Sequence, residues 1–251
     1  MRVLTHGFVL SMIAGISLAA GAGLAAAPAA PLDNRDTLLE TCTTAGPSDA
    51  RLAACTTLLQ SNQEDAQAEA VLLINRGNAH AEKGAHDAAL RDYDEAIGRD
   101  PTNQYAHFDR GIALDELGRY QDAILAYDRA IALAPDNAAA FNNRCWARVL
   151  AGEPANALSD CDESLRLEPN DPDALDTRAF VYFRVGRLDE AIVGFTAAIA
   201  ARAEQPTAFY GRALVRLKNR DPALAAPDLA EARRLDPDID NKFRRWGMPA
   251  D

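Results

Sequence analysis

The chain has 251 residues, 48% hydrophobic and 25% charged, and its 37 acidic side chains outnumber 26 basic ones for a formal charge of −11. No Lys/Arg-rich run interrupts this balance, so a nucleic-acid backbone is repelled rather than gripped. The acidic excess keeps the chain dispersed in water and constrains a ligand only by disfavouring polyanions.

In chain order, Met1–Gly7 carries one positive charge at Arg2, and Phe8–Leu24 is a nearly uninterrupted apolar run. Small residues follow in cleavage-like order, Ala27-Pro28-Ala29 before Ala30 or Gly23-Leu24-Ala25 before Ala26. This is the outline of a secretory signal peptide, assigned to residues 1–29. Pro28 and Pro31 oppose a long membrane-spanning helix, and an uncleaved membrane anchor is the alternative. Both place the remainder outside the cytoplasm. No cysteine stands near the exit, so a lipid anchor on an N-terminal cysteine is not expected. Without Arg2, 25 basic and 37 acidic residues remain, a formal charge of −12.

Residues 33–69 read as a degenerate helical hairpin, with helices over Asp36–Thr43 and Asp49–Ser61 around the break Ala45-Gly46-Pro47-Ser48. Cys42 and Cys55 fall one on each helix, and Cys145 and Cys161 form a second local pair downstream. An even cysteine count in an exported chain predicts disulfides, with buried free thiols the alternative. Each bridge would close a loop of about fifteen residues, worth on the order of 3 kcal/mol. Metal binding lacks ligands, because His6, His80, His86 and His107 are scattered and none adjoins a cysteine.

From residue 70 a strict period begins. Arg76, Arg110, Arg144, Arg178 and Arg212 are spaced by 34, as are Gly84, Gly118, Gly152 and Gly186. Pro101, Pro135, Pro169 and Pro237 keep the same step with one omission. Fixed-period self-similarity without insertion means a solenoid, in which each unit buries its apolar face against its neighbours. Within Ala70–Asn103 the first helix covers Ala70–Lys83 and Gly84 ends it as a left-handed C′ residue. A second helix begins at Asp87, with Ala89, Leu90, Tyr93, Ala96 and Ile97 on one face, and Asp100-Pro101 stops it. Small residues recur where paired helices approach: Gly77, Gly111, Cys145, Ala179 and Ala213 against Ala89, Ala123, Ala157, Ala191 and Ala225. Ala96, Ala130, Ser164, Ala198 and Ala232 form a third small column.

These columns resemble the tetratricopeptide repeat, whose signature combines the two small columns, an aromatic or large residue, a further alanine and a terminal proline. Five units match, Ala70–Asn103, Gln104–Asn137, Ala138–Asp171, Pro172–Gln205 and Pro206–Asp240, giving a repeat array over 70–240. The resemblance implies an all-α, right-handed solenoid of helix-turn-helix repeats, followed by a short C-terminal cap at 241–251. Three departures stand out. Ala203 replaces the proline, so the fourth unit is expected to run on toward Glu204. Arg220 replaces the glycine, and Pro227 lies inside the last second helix, at a cost of ~3 kcal/mol unless the helix bends. Leu235, Ile239, Phe243 and Trp246 are placed to form a short helix capping the final face.

The arginine column invites a ligand reading, but acids at Asp92, Asp160, Asp228, Asp94, Asp128 and Asp162 favour a structural ladder of charge-assisted bonds. In the family, positions two, five, nine and twelve of the first helices line the concave surface. The matching residues here are Tyr105, Phe108 and Ile112, then Asn142, Trp146 and Val149, then Asp176, Phe180 and Phe183, then Tyr210, Leu214 and Leu217. Aromatic residues make up only 6% of the chain, yet many fall on this stripe, which implies a groove for a partner peptide or helix. The family's carboxylate clamp for chaperone C-termini is excluded: Ile74, Asp109, Ala139 and Asn143 stand at clamp positions and only Asn78 fits. An asparagine ladder for extended peptides is reduced to Asn75 and Asn143.

No motif for a nucleophile, metal-assisted hydrolysis or phosphate cradling is present, and no cofactor or small-molecule substrate is implied. The sequence therefore reads as a non-enzymatic scaffold resembling exported bacterial tetratricopeptide proteins of the periplasm. Alternatives are a hydrolase of the cysteine-rich Sel1-like type, whose cysteines recur in nearly every unit unlike these, and a self-assembling structural protein with its groove filled by another copy.

Overall fold

The computed structural model describes residues 34–61 and 64–248. The expected signal peptide lies outside the described residues, as do residues 249–251 of the expected cap. Among the described residues the structure is entirely helical, and it divides into two compact units that meet in sequence at Arg119 and Tyr120. The amino-terminal unit holds α1 (Asn34–Thr43), α2 (Ser48–Ser61), α3 (Ala66–Glu82), α4 (His86–Arg99) and α5 (Gln104–Glu116). The carboxy-terminal unit holds α6 (Tyr120–Leu133), α7 (Ala138–Leu150), α8 (Pro154–Leu167), α9 (Pro172–Arg184), α10 (Leu188–Ala201), α11 (Pro206–Lys218), α12 (Pro222–Leu235) and α13 (Ile239–Arg245). In both, each helix packs on the next, and first helices also pack side by side, α3 on α5 and α7 on α9 on α11. The fold is an all-α solenoid of stacked helical hairpins.

Local chemistry sets the helix ends. Asp65, Asn103, Asn137, Asp171 and Asp221 each accept a backbone N–H of the following first turn, as N-cap side chains do. Pro154, Pro172, Pro206 and Pro222 sit at the opening position, where no N–H is missed. Gly84, Gly118, Gly152 and Gly186 all take φ between 72° and 82° immediately after the first helices. Arg220 holds the same left-handed place at φ 61° despite its Cβ.

Two sequence expectations change. The fourth unit does not run on: α10 stops at Ala201, and Arg202 is extended at φ −142°. Pro206 drives Gln205 out of the helical region, and the Arg202 guanidinium is tied to Asp173 and Gln205, which fixes the turn without a proline at 203. Pro227 is tolerated within α12. It lies on the solvent face, as does Ala223 one turn earlier, so water can meet the carbonyl whose donor is lost.

The small columns are buried throughout. At Gly211 a Cβ would stand 2.4 Å from the Phe195 ring and 2.8 Å from Phe180, so only glycine admits both rings. Cys42 and Cys55 are bonded at 2.11 Å between α1 and α2, and Cys145 and Cys161 at 2.08 Å between α7 and α8.

The arginine column alternates. Arg76, Arg144 and Arg212 each grip an acid of their own hairpin with two bonds: Asp92 at 2.6 and 3.0 Å, Asp160 at 2.5 and 2.9 Å, Asp228 at 2.8 and 2.9 Å. The intervening repeats carry Ala126 and Gly194 where those acids would stand. There the arginine turns to the preceding hairpin, Arg110 to Asp94 at 2.6 Å and Arg178 to Asp162 at 3.2 Å. Arg144 does both, reaching Asp128 at 2.6 Å. A second cation joins two of the buried acids: Arg148 meets Asp160, and Arg216 meets Asp228, each at 2.6 Å, while donating to a carbonyl of the second helix.

Removing Asp160 takes the shared buried acid from two guanidinium groups, leaving Arg144 only Asp128 and Arg148 only a helix carbonyl, whereas removing an exposed acid lets water take its place. Asp160→Ala is expected to cost about 3 kcal/mol in urea unfolding and Asp162→Ala less than about 0.5 kcal/mol. Equal losses would contradict the assignment. Arg220→Gly relieves the left-handed strain and should stabilise by roughly 0.5–1 kcal/mol, which the same titration reads.

Candidate functional site

The residues expected to line the concave surface fall in both units. In the amino-terminal unit, Tyr105 packs half-buried against a cluster containing Ala70, Leu73 and Ile74. Phe108 is 7% exposed, and Ile112 lies half-buried one turn further along α5. Below them a polar group is enclosed: the Tyr93 hydroxyl donates to Asn78 Oδ1 at 2.6 Å. Burial lifts the Asp109 carboxyl to about 7, against the opposing hydrogen bond from Asn78.

In the carboxy-terminal unit the stripe is not open to water. Phe180 and Tyr210 are each 1% exposed and Leu214 6%, and the cover is α13. Phe243, itself fully buried, sets its ring 4.0 Å from Tyr210 and 5.6 Å from Phe180. Trp246 lies edge-on to Trp146 at 5.0 Å, and Trp146 meets Phe180 at 5.5 Å. Ile239 and Met248 complete the seal. A polar anchor accompanies the rings. Asp240 accepts the Tyr210 hydroxyl at 3.0 Å and two bonds from Arg233 at 2.7 and 2.9 Å, which holds its carboxyl below the usual range.

The expectation of a solvent-facing aromatic stripe is thus corrected for these side chains. The sequence marked Phe243 and Trp246 as a cap for the final face, but their spacing of three residues suits an inner face equally. Phe180 also contacts Phe195 at 4.7 Å, which makes it core, and replacing it with alanine would cost about 3–5 kcal/mol. It is unsuitable as a probe of binding. Trp146, Phe183 and Leu217 remain half-buried at the rim, with the Lys218 ammonium 5.2 Å over the Phe183 ring.

The polar members of the stripe lie on α7 and α9. Asn142 is half-buried and its Oδ1 lacks a hydrogen-bond partner. Asp176 is 2% exposed and accepts the Thr207 hydroxyl at 2.5 Å. Burial raises its carboxyl to about 7, with Thr207, Gln205 and Arg202 pulling the other way. The sequence offered no signal for this shift, which depends on α9 and α11 closing over one carboxylate. No cluster of potential metal ligands occurs among the described residues.

The model of the family "Tetratricopeptide repeat" matches residues 74–138, 108–172 and 177–238, well over half the chain. The chain belongs to the tetratricopeptide repeat family. No curated protein sequence is significantly similar to it. Among solved structures, a tetratricopeptide repeat protein from Parabacteroides merdae is 19% identical, with TM-score 0.68, 84% of this chain covered and 87% of that one. YrrB, a tetratricopeptide repeat protein with an unusual peptide-binding site, is 24% identical, with TM-score 0.55 over 74% of this chain and 94% of its own. MamA from Desulfovibrio magneticus is 21% identical, with TM-score 0.58 over 68% and 97%. At these identities the likeness is one of fold.

Asp109 and Asp176 make a signed prediction. Both carboxyls titrate near 7 when folded and near 3.9 when unfolded, so the native state binds more protons between those values. The stability they contribute is full below about pH 4 and is lost as pH rises toward 7. Urea unfolding should show lower stability at pH 8 than at pH 5, and Asp109→Asn with Asp176→Asn should remove most of that difference. An unchanged difference in the double variant would refute it.

Proposed function

We propose that the protein is a non-enzymatic interaction scaffold of the bacterial periplasm that holds a partner peptide or helix against the first helices of its repeat array. The carrying observation is the seat of α13: a short aromatic-bearing helix already lies on the wall formed by Trp146, Phe180 and Tyr210. Such a surface recognises a helix by inserting ring edges among rings, with one polar contact fixing register. The peptide-binding site of YrrB, in the same fold, supports a role of this kind.

Export rests on the leader read from the sequence and fits the two disulfides, which form in oxidising compartments. Among the described residues no helix is long and apolar enough to cross a membrane. A scaffold role also accounts for the buried aspartates of the ladder: Asp92, Asp160 and Asp228 are each tied to an arginine, an arrangement that serves rigidity rather than proton transfer.

A photoreactive amino acid replacing Phe183 at the groove rim, introduced in intact cells, should trap one discrete partner. The same group replacing Val193, 69% exposed on α10, should trap none. Trp146→Ala should cut the trapped product at least tenfold while circular dichroism stays constant. Equal trapping at both positions, or none at Phe183, would overturn the reading.

A further inference from the structure

The α13 segment does more than close the end of a helical stack. Trp246 reaches Trp146 on α7, past the hairpins of α9 and α11, so the tail runs along the inner wall. Beside the buried Ile239 and Met248, three residues spaced by three make the ring and polar contacts: Asp240 through Tyr210 and Arg233, Phe243 through Tyr210 and Phe180, and Trp246 through Trp146. Residues at i, i+3 and i+6 wind gradually around a helix and meet a curved wall in sequence.

We propose that this wall is a binding site for a partner's short helix bearing a carboxylate, a phenylalanine-like ring and a tryptophan-like ring at three-residue steps, and that α13 is its resident intramolecular occupant. The inference rests on the scaffold reading and deepens it. The occupant is a foreign segment rather than a second copy's tail. Only Asp236–Asp238 separates α12 from α13, and Arg233 of α12 grips Asp240 across that turn, so each copy's tail is confined to its own wall. Tethering gives α13 an effective concentration in the millimolar range, and an incoming helix must compete against it. The groove is therefore closed to weak ligands and opens only to a segment that reproduces or improves the same three contacts.

The test uses the full mature chain and, as probe, a fluorescent synthetic peptide of residues 236–251. Wild type is compared with Phe243→Ala/Trp246→Ala, which vacates the rings. A second variant, Asp240→Ala, loosens the anchor without opening a core cavity and decides the matter should the first fail to fold. Both variants are expected to bind the peptide at least tenfold more tightly than wild type. Because the peptide itself carries Trp246, binding is read from the anisotropy of its fluorescent label, which should rise on binding. Peptides with alanine for Asp240, Phe243 or Trp246 should each bind at least tenfold more weakly. Equal binding by wild type and folded variants would overturn the resident-occupant claim and leave the scaffold reading standing. No binding by a folded variant would overturn the site itself, and the scaffold reading would lose this wall. A wild-type dimer with exchanged tails in light scattering would make the occupant a second copy and refute the proposal.

Discussion

Close approach of the two helices in each hairpin is the constraint on which the rest depends. Glycine, alanine or cysteine faces alanine at every crossing, and these positions are buried without gaps. The short separation brings an arginine on the first helix within bonding distance of an aspartate on its partner, and that bond is made twice over at Asp92, Asp160 and Asp228. A desolvated, doubly held pair tolerates little change in helix register, so it fixes the angle at which each first helix is presented. Where the internal acid is absent, the arginine ties one hairpin to the one before.

That rigidity explains how a wall of rings can be built from side chains several tens of residues apart. Trp146, Phe180 and Tyr210 come from successive first helices; Trp146 meets Phe180 edge-on, and Tyr210 joins them through the Phe243 ring, which requires the helix faces to be aligned. Gly211 contributes by absence, since any Cβ there would strike Phe195 and Phe180. The disulfide between α7 and α8 sits in the hairpin that carries Trp146, where Cys145 takes the place of a small residue and Cys161 lies opposite it.

Much of this was legible in the sequence because it is periodic. The columns of arginine, glycine and alanine named the hairpins, and the acids named the partners of the arginines. What remained hidden was set by tertiary direction. Phe243 and Trp246 declared an apolar face, but whether that face would cover the end of the stack or turn along its inside depends on the turn at Asp236–Asp238 and on the grip of Arg233 upon Asp240. Likewise Asp109 and Asp176 look like ordinary helix carboxylates until neighbouring helices exclude water from them. Phe180 and Tyr210 were candidates for contact with a partner and are instead in contact with the chain's own tail.

Placement of the tail is measured most directly by nuclear Overhauser effects between aromatic protons in the folded, oxidised chain. Cross-peaks from Phe243 to Tyr210 and from Trp246 to Trp146 are expected, since the ring centroids stand 4.0 and 5.0 Å apart. Absence of both, with two water-exposed indoles in the emission spectrum, would contradict the occupied wall.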